Sequence, residues 1–445
     1  MKFAYLAPLS ASRSPRSLSG ITAMQRFLLL LVLGILPASV WAQPPSETVV
    51  VDKRTLQLLL QRIDQLEARV SQLEATRTGP PSVMPASALR QANAASPATL
   101  SQADVPEQEL ERMDVSKTLL NIRGFGDFGL YGGNQKGQTT SFSLGELNLF
   151  VTSNISDKFK FLSELVFESE GPDEGGQVNG FKAEPERVLL EYSYNDHLNL
   201  AMGRYHSAIG YYNTAYHHST WLQTTTGRPF LFAFEDEGGI LPIHNVGVSA
   251  SGQIPSGSLG LHYVAEVGNG RASRSELSDP VQNVVDENNH KSVNLAFFLR
   301  PDNVQGLQVG ASVYRDMLYP SNGEKIGETI LDGYAVLART NFEWLNEGLM
   351  IRHAIRGVPH VYDTPGFYTQ ISERFGSFRP YLRYQYVNAS NTEPVFPDVG
   401  LRTGPSLGVR YDASESVAFK LQYDYTELRR QQAINALALQ VGFTF

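Results

Sequence analysis

The sequence predicts an all-β transmembrane barrel of about sixteen antiparallel strands, preceded by a short coiled-coil helix and a disordered linker. Three observations carry that reading. From Leu119 onward the chain is cut into short alternating apolar and polar segments separated by turn residues, with lengths that suit strands of about 9–11 residues tilted across a bilayer. The connections between these segments alternate between short and long. The chain ends on "NALALQVGFTF" (435–445), where Leu437, Leu439, Val441, Phe443 and Phe445 share one strand face and Ala438, Gln440, Gly442 and Thr444 the other, because strand side chains alternate with period two.

The N-terminal part reads differently. Basic residues up to Arg26, the apolar run "FLLLLVLGIL" (27–36) and small Ala42 after "SVW" form a secretory signal over residues 1–42, with Met24 as the expected true start. Removing it takes away Lys2, Arg13, Arg16 and Arg26 and no acids, so a formal charge of −8 becomes −12, with 33 basic against 45 acidic residues. That balance offers no basic surface for nucleic acid. With no Cys among 445 residues, disulfides, thiolate zinc sites and thiol nucleophiles are excluded. No later stretch reaches 18 apolar residues, so no transmembrane helix is expected in the exported chain.

Residues 43–76 hold a coiled-coil segment, in which Leu59, Ile63, Leu66, Val70 and Leu73 follow heptad a and d spacing. "RIDQLE" (62–67) and "RVSQLE" (69–74) set Arg62 and Arg69 at g and Glu67 and Glu74 at e, a pattern that resembles short trimeric coiled coils in which Arg reaches Glu on a neighbouring chain. A solvated amphipathic helix is the plainer alternative. Residues 77–117, opening "RTGPPSVMPAS", are rich in Pro, Ala, Ser and Gln and read as a linker.

The barrel is assigned to residues 118–445. Its sixteen segments are placed at 119–131, 141–154, 157–169, 185–195, 197–206, 244–254, 257–268, 291–300, 304–315, 331–342, 348–356, 366–375, 377–388, 403–412, 415–427 and 434–445. Even-numbered segments are followed by tight joins such as "SD" (156–157), "ND" (195–196), "WLNEG" (344–348) and "GS" (376–377). Odd-numbered ones are followed by long connections including 170–184, 207–243, 269–290, 316–330 and 389–402. Sorting by parity is the asymmetry of outer-membrane barrels, and a soluble sandwich has no reason for it.

A last strand with apolar residues at alternate positions and a terminal Phe resembles the outer-membrane porins, whose assembly machinery reads that signal; here Phe445 and Phe443 carry it. From 118 to 445 the chain is similar to a sixteen-stranded Gram-negative porin. The resemblance implies that the loop after the fifth strand, "SAIGYYNTAYHHSTWLQTTTGRPFLFAFEDEGGILPIHN" (207–245), folds inward and narrows the pore. Its "EDEGG" is similar to the Pro-Glu-x-Gly-Gly stretch of general porins but departs at Asp236 and Glu237, which with Glu235 are assigned to the constriction. The added coiled coil resembles the periplasmic extensions of phosphate- and dicarboxylate-type porins, which are trimers.

Residues alternating with the lipid-facing set are expected to line the lumen: Arg352, Arg356, Arg374, Arg379, Arg383, Arg410 and Lys420 on one wall, Asp127, Glu146, Glu164, Glu168 and Glu191 on another. Charge facing lipid costs about 2–4 kcal/mol at the midplane, which favours inward placement. The expected function is passive diffusion of small hydrophilic solutes across the outer membrane with a preference for anions or small carboxylates. Expected partners are the lipid bilayer, further copies of the chain, the barrel assembly machinery and peptidoglycan, with no nucleic acid and no cofactor. Two alternatives stand beside it. A plugged barrel with a coiled-coil tether is structural. A metal or hydrolytic site would draw on His206, His217, His218 and His244, but neither HExxH nor G-x-S-x-G spacing is present.

Overall fold

In the computed structural model the described residues are 120–135, 139–169, 181–216, 220–235, 238–271, 286, 288–320 and 322–445. The predicted signal (1–42), coiled coil (43–76, with Arg62, Glu67, Arg69 and Glu74) and linker (77–117) lie outside them, as do His217, His218, Asp236 and Glu237.

The strands are β1 (Leu120–Gly133), β2 (Ser141–Asn154), β3 (Phe159–Ser169), β4 (Phe181–Asn195), β5 (Leu198–His206), β6 (His244–Ile254), β7 (Leu261–Gly268) and β8 (Ser292–Leu299). They continue as β9 (Leu307–Leu318), β10 (Ile326–Ala338), β11 (Phe342–Ile355), β12 (Val361–Glu373), β13 (Phe378–Asn388), β14 (Leu401–Asp412), β15 (Val417–Leu428) and β16 (Ile434–Thr444). Each pairs with its sequence neighbours, and β1 pairs antiparallel with β16 from Phe125↔Thr444 to Gly133↔Ala436, closing a sixteen-stranded barrel. Closure leaves no free sheet edge, which is what allows strands to sit in hydrocarbon. Among the described residues no helix is long and apolar enough to cross a membrane.

Period-two alternation sets the two faces. Leu437, Leu439, Phe419, Leu421, Leu382, Leu295 and Phe297 all point outward and stay exposed, while Ala438, Gln440, Lys420, Arg383 and Asn294 alternate with them and are buried. The apolar exterior therefore continues around the wall, as a lipid-facing band requires. At the seam, Phe443 stacks on Phe128 at 5.4 Å and on Phe445 at 6.3 Å. The amide of Phe445 donates to Gly124 O and the amide of Gly124 to Phe445 O.

The join between β10 and β11 differs from the expected one. "WLNEG" (344–348) is not a turn: all five residues are paired with β10 on one side and β12 on the other, and the chain reverses at 339–341 instead. Asn and Gly bias a sequence toward turns, yet Leu345 and Glu347 are completely or almost completely buried and fit the inward face of a strand. The connection expected at 316–330 shrinks accordingly to 319–325.

Gly203 within β5 has φ +132°, and a Cβ there would lie 1.9 Å from Val188 O on the paired strand. Gly203→Ala is therefore expected to cost about 3 kcal/mol through backbone strain and overlap. Its measure is the fraction of protein that refolds to the compact, heat-modifiable form on SDS gels. A yield equal to the parent's would show that the β4–β5 ladder yields freely there.

Candidate pore constriction

The described residues of the 207–243 connection pack on the inner wall of β9–β13. Ile209, Tyr212, Leu231, Phe232, Phe234, Ile240, Leu241 and Ile243 of the loop join one buried apolar cluster with Tyr314, Ile330, Leu345, Leu349, Ile351 and Tyr368 of the wall. Tyr212 stacks on Phe232 at 5.8 Å and meets Tyr368 edge-on at 5.8 Å. Hydrophobic burial supplies the attraction, and polar groups of the wall then fix the path.

The loop's two halves are held by opposite charges. In the first, backbone N–H groups donate to carboxylates: Ala208 to Glu266 at 3.0 Å, Tyr211 and Tyr212 to Glu347 at 2.6 and 3.2 Å. The Tyr216 hydroxyl donates to Glu343 at 3.0 Å. In the second, carbonyl groups accept from cations: Thr220 O and Thr225 O from Lys420, Trp221 O and Gln223 O from Arg410, and Gly227 O from Arg383 at 2.9 Å. Arg383 also donates to Thr225 Oγ1 and to Gln370 Oε1. Gly442 of the terminal strand faces this segment, where a Cβ would come within 3.2 Å of the Trp221 backbone. The loop's exit is clasped by Glu235, whose oxygens accept from the His244 amide at 2.8 Å and meet its Nδ1 at 3.0 Å; His206 and His244 sit with their Nε2 atoms 3.1 Å apart.

Three of the seven basic residues assigned to the lumen, Arg383, Arg410 and Lys420, point into it, and the loop occupies them. Of the other four, Arg352 and Arg356 leave the lumen, and Arg374 and Arg379 sit at its short-turn rim without meeting the described part of the loop. Arg352 lies on the outward face, 45% exposed, and pairs with Asp363 across the β11–β12 ladder at 2.8 Å. Arg356 is exposed just past β11. Arg374 sits in the β12–β13 turn and donates to Gly376 O. Arg379, at the same short-turn rim, keeps the inward parity of β13 opposite Arg410 and donates to Thr340 O. The cost of outward charge falls to about 0–1 kcal/mol near the interfaces, so a positive charge near a strand end carries no information about which face it takes.

The acids stand on the other wall. Asp127 is buried, accepts from the Glu146 amide at 3.1 Å and receives Gln440 Nε2 at 3.0 Å. Glu146 accepts from Asn148 on the same face. Glu164 pairs with Arg187 at 2.5 Å and Glu168 with Lys182 at 2.9 Å. Glu191 alternates inward and is half-buried. A register shift between Glu164 and Leu165 lets Glu186 and Arg187 both turn inward, so that Glu186 meets Arg204 at 3.2 Å. Among the described residues no cluster of His, Asp and Glu is arranged to hold a metal ion.

Glu266, Glu343 and Glu347 were not foreseen as loop partners. For Glu347 the signal was present in "WLNEG", where a strand reading would have turned an acid inward beneath the longest loop.

No family model and no curated protein matches the chain. Solved structures do. The anion-selective porin from Comamonas acidovorans is 12% identical, covering 74% of this chain and 100% of that one, with a TM-score of 0.53. The Salmonella typhi OmpF complex with daunomycin is 12% identical over 73% of this chain and 97% of that one, at 0.51. This chain has the sixteen-stranded porin fold. The outer membrane channel DcaP of Acinetobacter baumannii also aligns, at 11% identity over 74% of this chain and 97% of that one, with a TM-score of 0.49.

Proposed function

We propose that the chain is a passive diffusion pore of the outer membrane for small hydrophilic solutes, with no enzymatic step. The observation that carries this reading is the division of the lumen. The wall of β9–β12 is sealed under the inserted loop, whereas Glu168, Lys182 and Glu184 on β3 and β4 keep 22–30% solvent access. Charged side chains left accessible inside a closed barrel line water, and water is the path for solutes. The short-turn rim faces the periplasm in this reading; the heptad pattern with Arg62, Glu67, Arg69 and Glu74 favours a trimer, and peptidoglycan is a further partner to test. Phe445 and Phe443 serve as the signal to the assembly machinery.

A preference for anions or small carboxylates draws on different arginines from those first assigned: Arg402, Arg429 and Arg430 at the long-loop rim. The reversal potential in a planar bilayer under a KCl gradient tests it, with anion sign expected. A cation sign would assign selectivity to Glu146, Glu168, Glu184 and Glu191 instead, and absence of conductance would favour the plugged tether.

A further inference from the structure

At the long-loop rim the ends of β14, β15 and β16 and the 389–400 connection enclose a cleft of about 590 Å³, a volume within the usual range of small-molecule sites. Its lining combines Arg402, Arg429 and Arg430 with one acid, Asp398, and with apolar surface from Phe230 and Ile434. Resting on the pore reading above, we propose that this cleft captures monocarboxylates that carry an apolar body, at the entrance to the constriction.

The arginines are presented differently. Arg429 is braced, donating to Asn391 Oδ1 at 3.3 Å and to Asn388 Oδ1. The side chains of Arg402 and Arg430 form no hydrogen bond or ion pair among the described residues. Arg402 occupies the inward parity of β14, shared with Gly404 and Ser406, both buried. Arg430 holds φ +55° at the β15–β16 turn, the left-handed region that a non-glycine residue adopts at a local cost. Two forked guanidinium groups beside a braced third match the planar, bidentate geometry of a carboxylate. One acid against three arginines leaves an excess of positive charge for the ligand to meet.

The floor defines the rest of the ligand. Phe230 belongs to the inserted loop, and its amide donates to Gln385 Oε1 on β13 at 2.8 Å, which fixes the ring's position. Ile434, at the start of β16, lines the same cleft. A fully hydrated inorganic anion gains nothing from these side chains, whereas a benzoate-like ion places its ring on them and its carboxylate on the arginines.

The test is calorimetric titration of the full-length protein in detergent micelles with benzoate, benzamide and inorganic phosphate. Benzoate is expected to bind at least about tenfold more tightly than either of the others. The R402Q/R430Q double variant should lose about tenfold in benzoate affinity while keeping heat-modifiable migration. R356Q, an exposed arginine at the same rim, should bind as the parent does. Equal binding of benzamide, equal binding of phosphate, or undiminished affinity in the double variant would each overturn the cleft. Conductance is recorded separately: a barrel that conducts without binding benzoate refutes the cleft alone, and one that binds without conducting upholds the cleft while refuting the pore.

Discussion

In Arg383→Ala, channel current should become larger and noisier, and chymotrypsin should cut after Phe232, which in the parent is fully buried. The side chain of Arg383 is 1% exposed and serves three acceptors, two of them in the inserted loop. Its removal leaves those oxygens without a charged donor inside a packed lumen, a change on the order of 3–5 kcal/mol for a buried network of this kind. At about 1.4 kcal/mol per factor of ten, the open form of the loop should rise by two to three decades. Barrel stability should move much less, because the β12–β13–β14 ladders are bonded through the backbone. If current noise and protease resistance both stay at the parent level, the apolar cluster around Tyr212 and Phe232 alone holds the constriction and the polar clasp is incidental.

Asp332→Leu should make the protein more stable. Asp332 is buried on the inward face of β10, and neither carboxylate oxygen finds a hydrogen-bond partner among the described residues. Beneath the loop it feels the like-charged Glu347. Replacing an unsatisfied buried carboxyl by an apolar group of similar size removes a penalty of about 1–3 kcal/mol. The midpoint of guanidinium unfolding, followed by the loss of compact gel migration, should move upward. A downward shift would mean that the carboxyl takes part in holding Glu347 against the Tyr211 and Tyr212 amides, and that its burial is functional.

The fold was legible because its governing rule is short-range. Outward apolar and inward polar residues alternate along most strands, the wall beneath the loop excepted, so β2 and β6 emerge with the expected bounds, 141–154 and 244–254. The rule failed at "WLNEG", where local turn chemistry competes with the requirement that Leu345 and Glu347 meet the inserted loop, a partner more than a hundred residues away. The inserted loop was expected only through the porin resemblance, on its length and its position after the fifth strand. Its fastening was not, since a positive charge in the sequence does not reveal whether it meets solvent, a carboxylate or a backbone carbonyl. Arg352 and Arg383 look alike in sequence; one bridges to Asp363 outside the wall, and the other is enclosed by loop oxygens.

The ladder between β1 and β16 has a consequence for how the molecule forms. Arg123 and Thr444, joined by a hydrogen bond across that seam, are separated by 321 positions. Every other ladder can zip between sequence neighbours, but this one joins the two ends of the barrel, and until it forms β1 and β16 each present unpaired amide and carbonyl groups. Of the sixteen ladders it closes the largest loop, so it carries the largest closure entropy and is expected to form last.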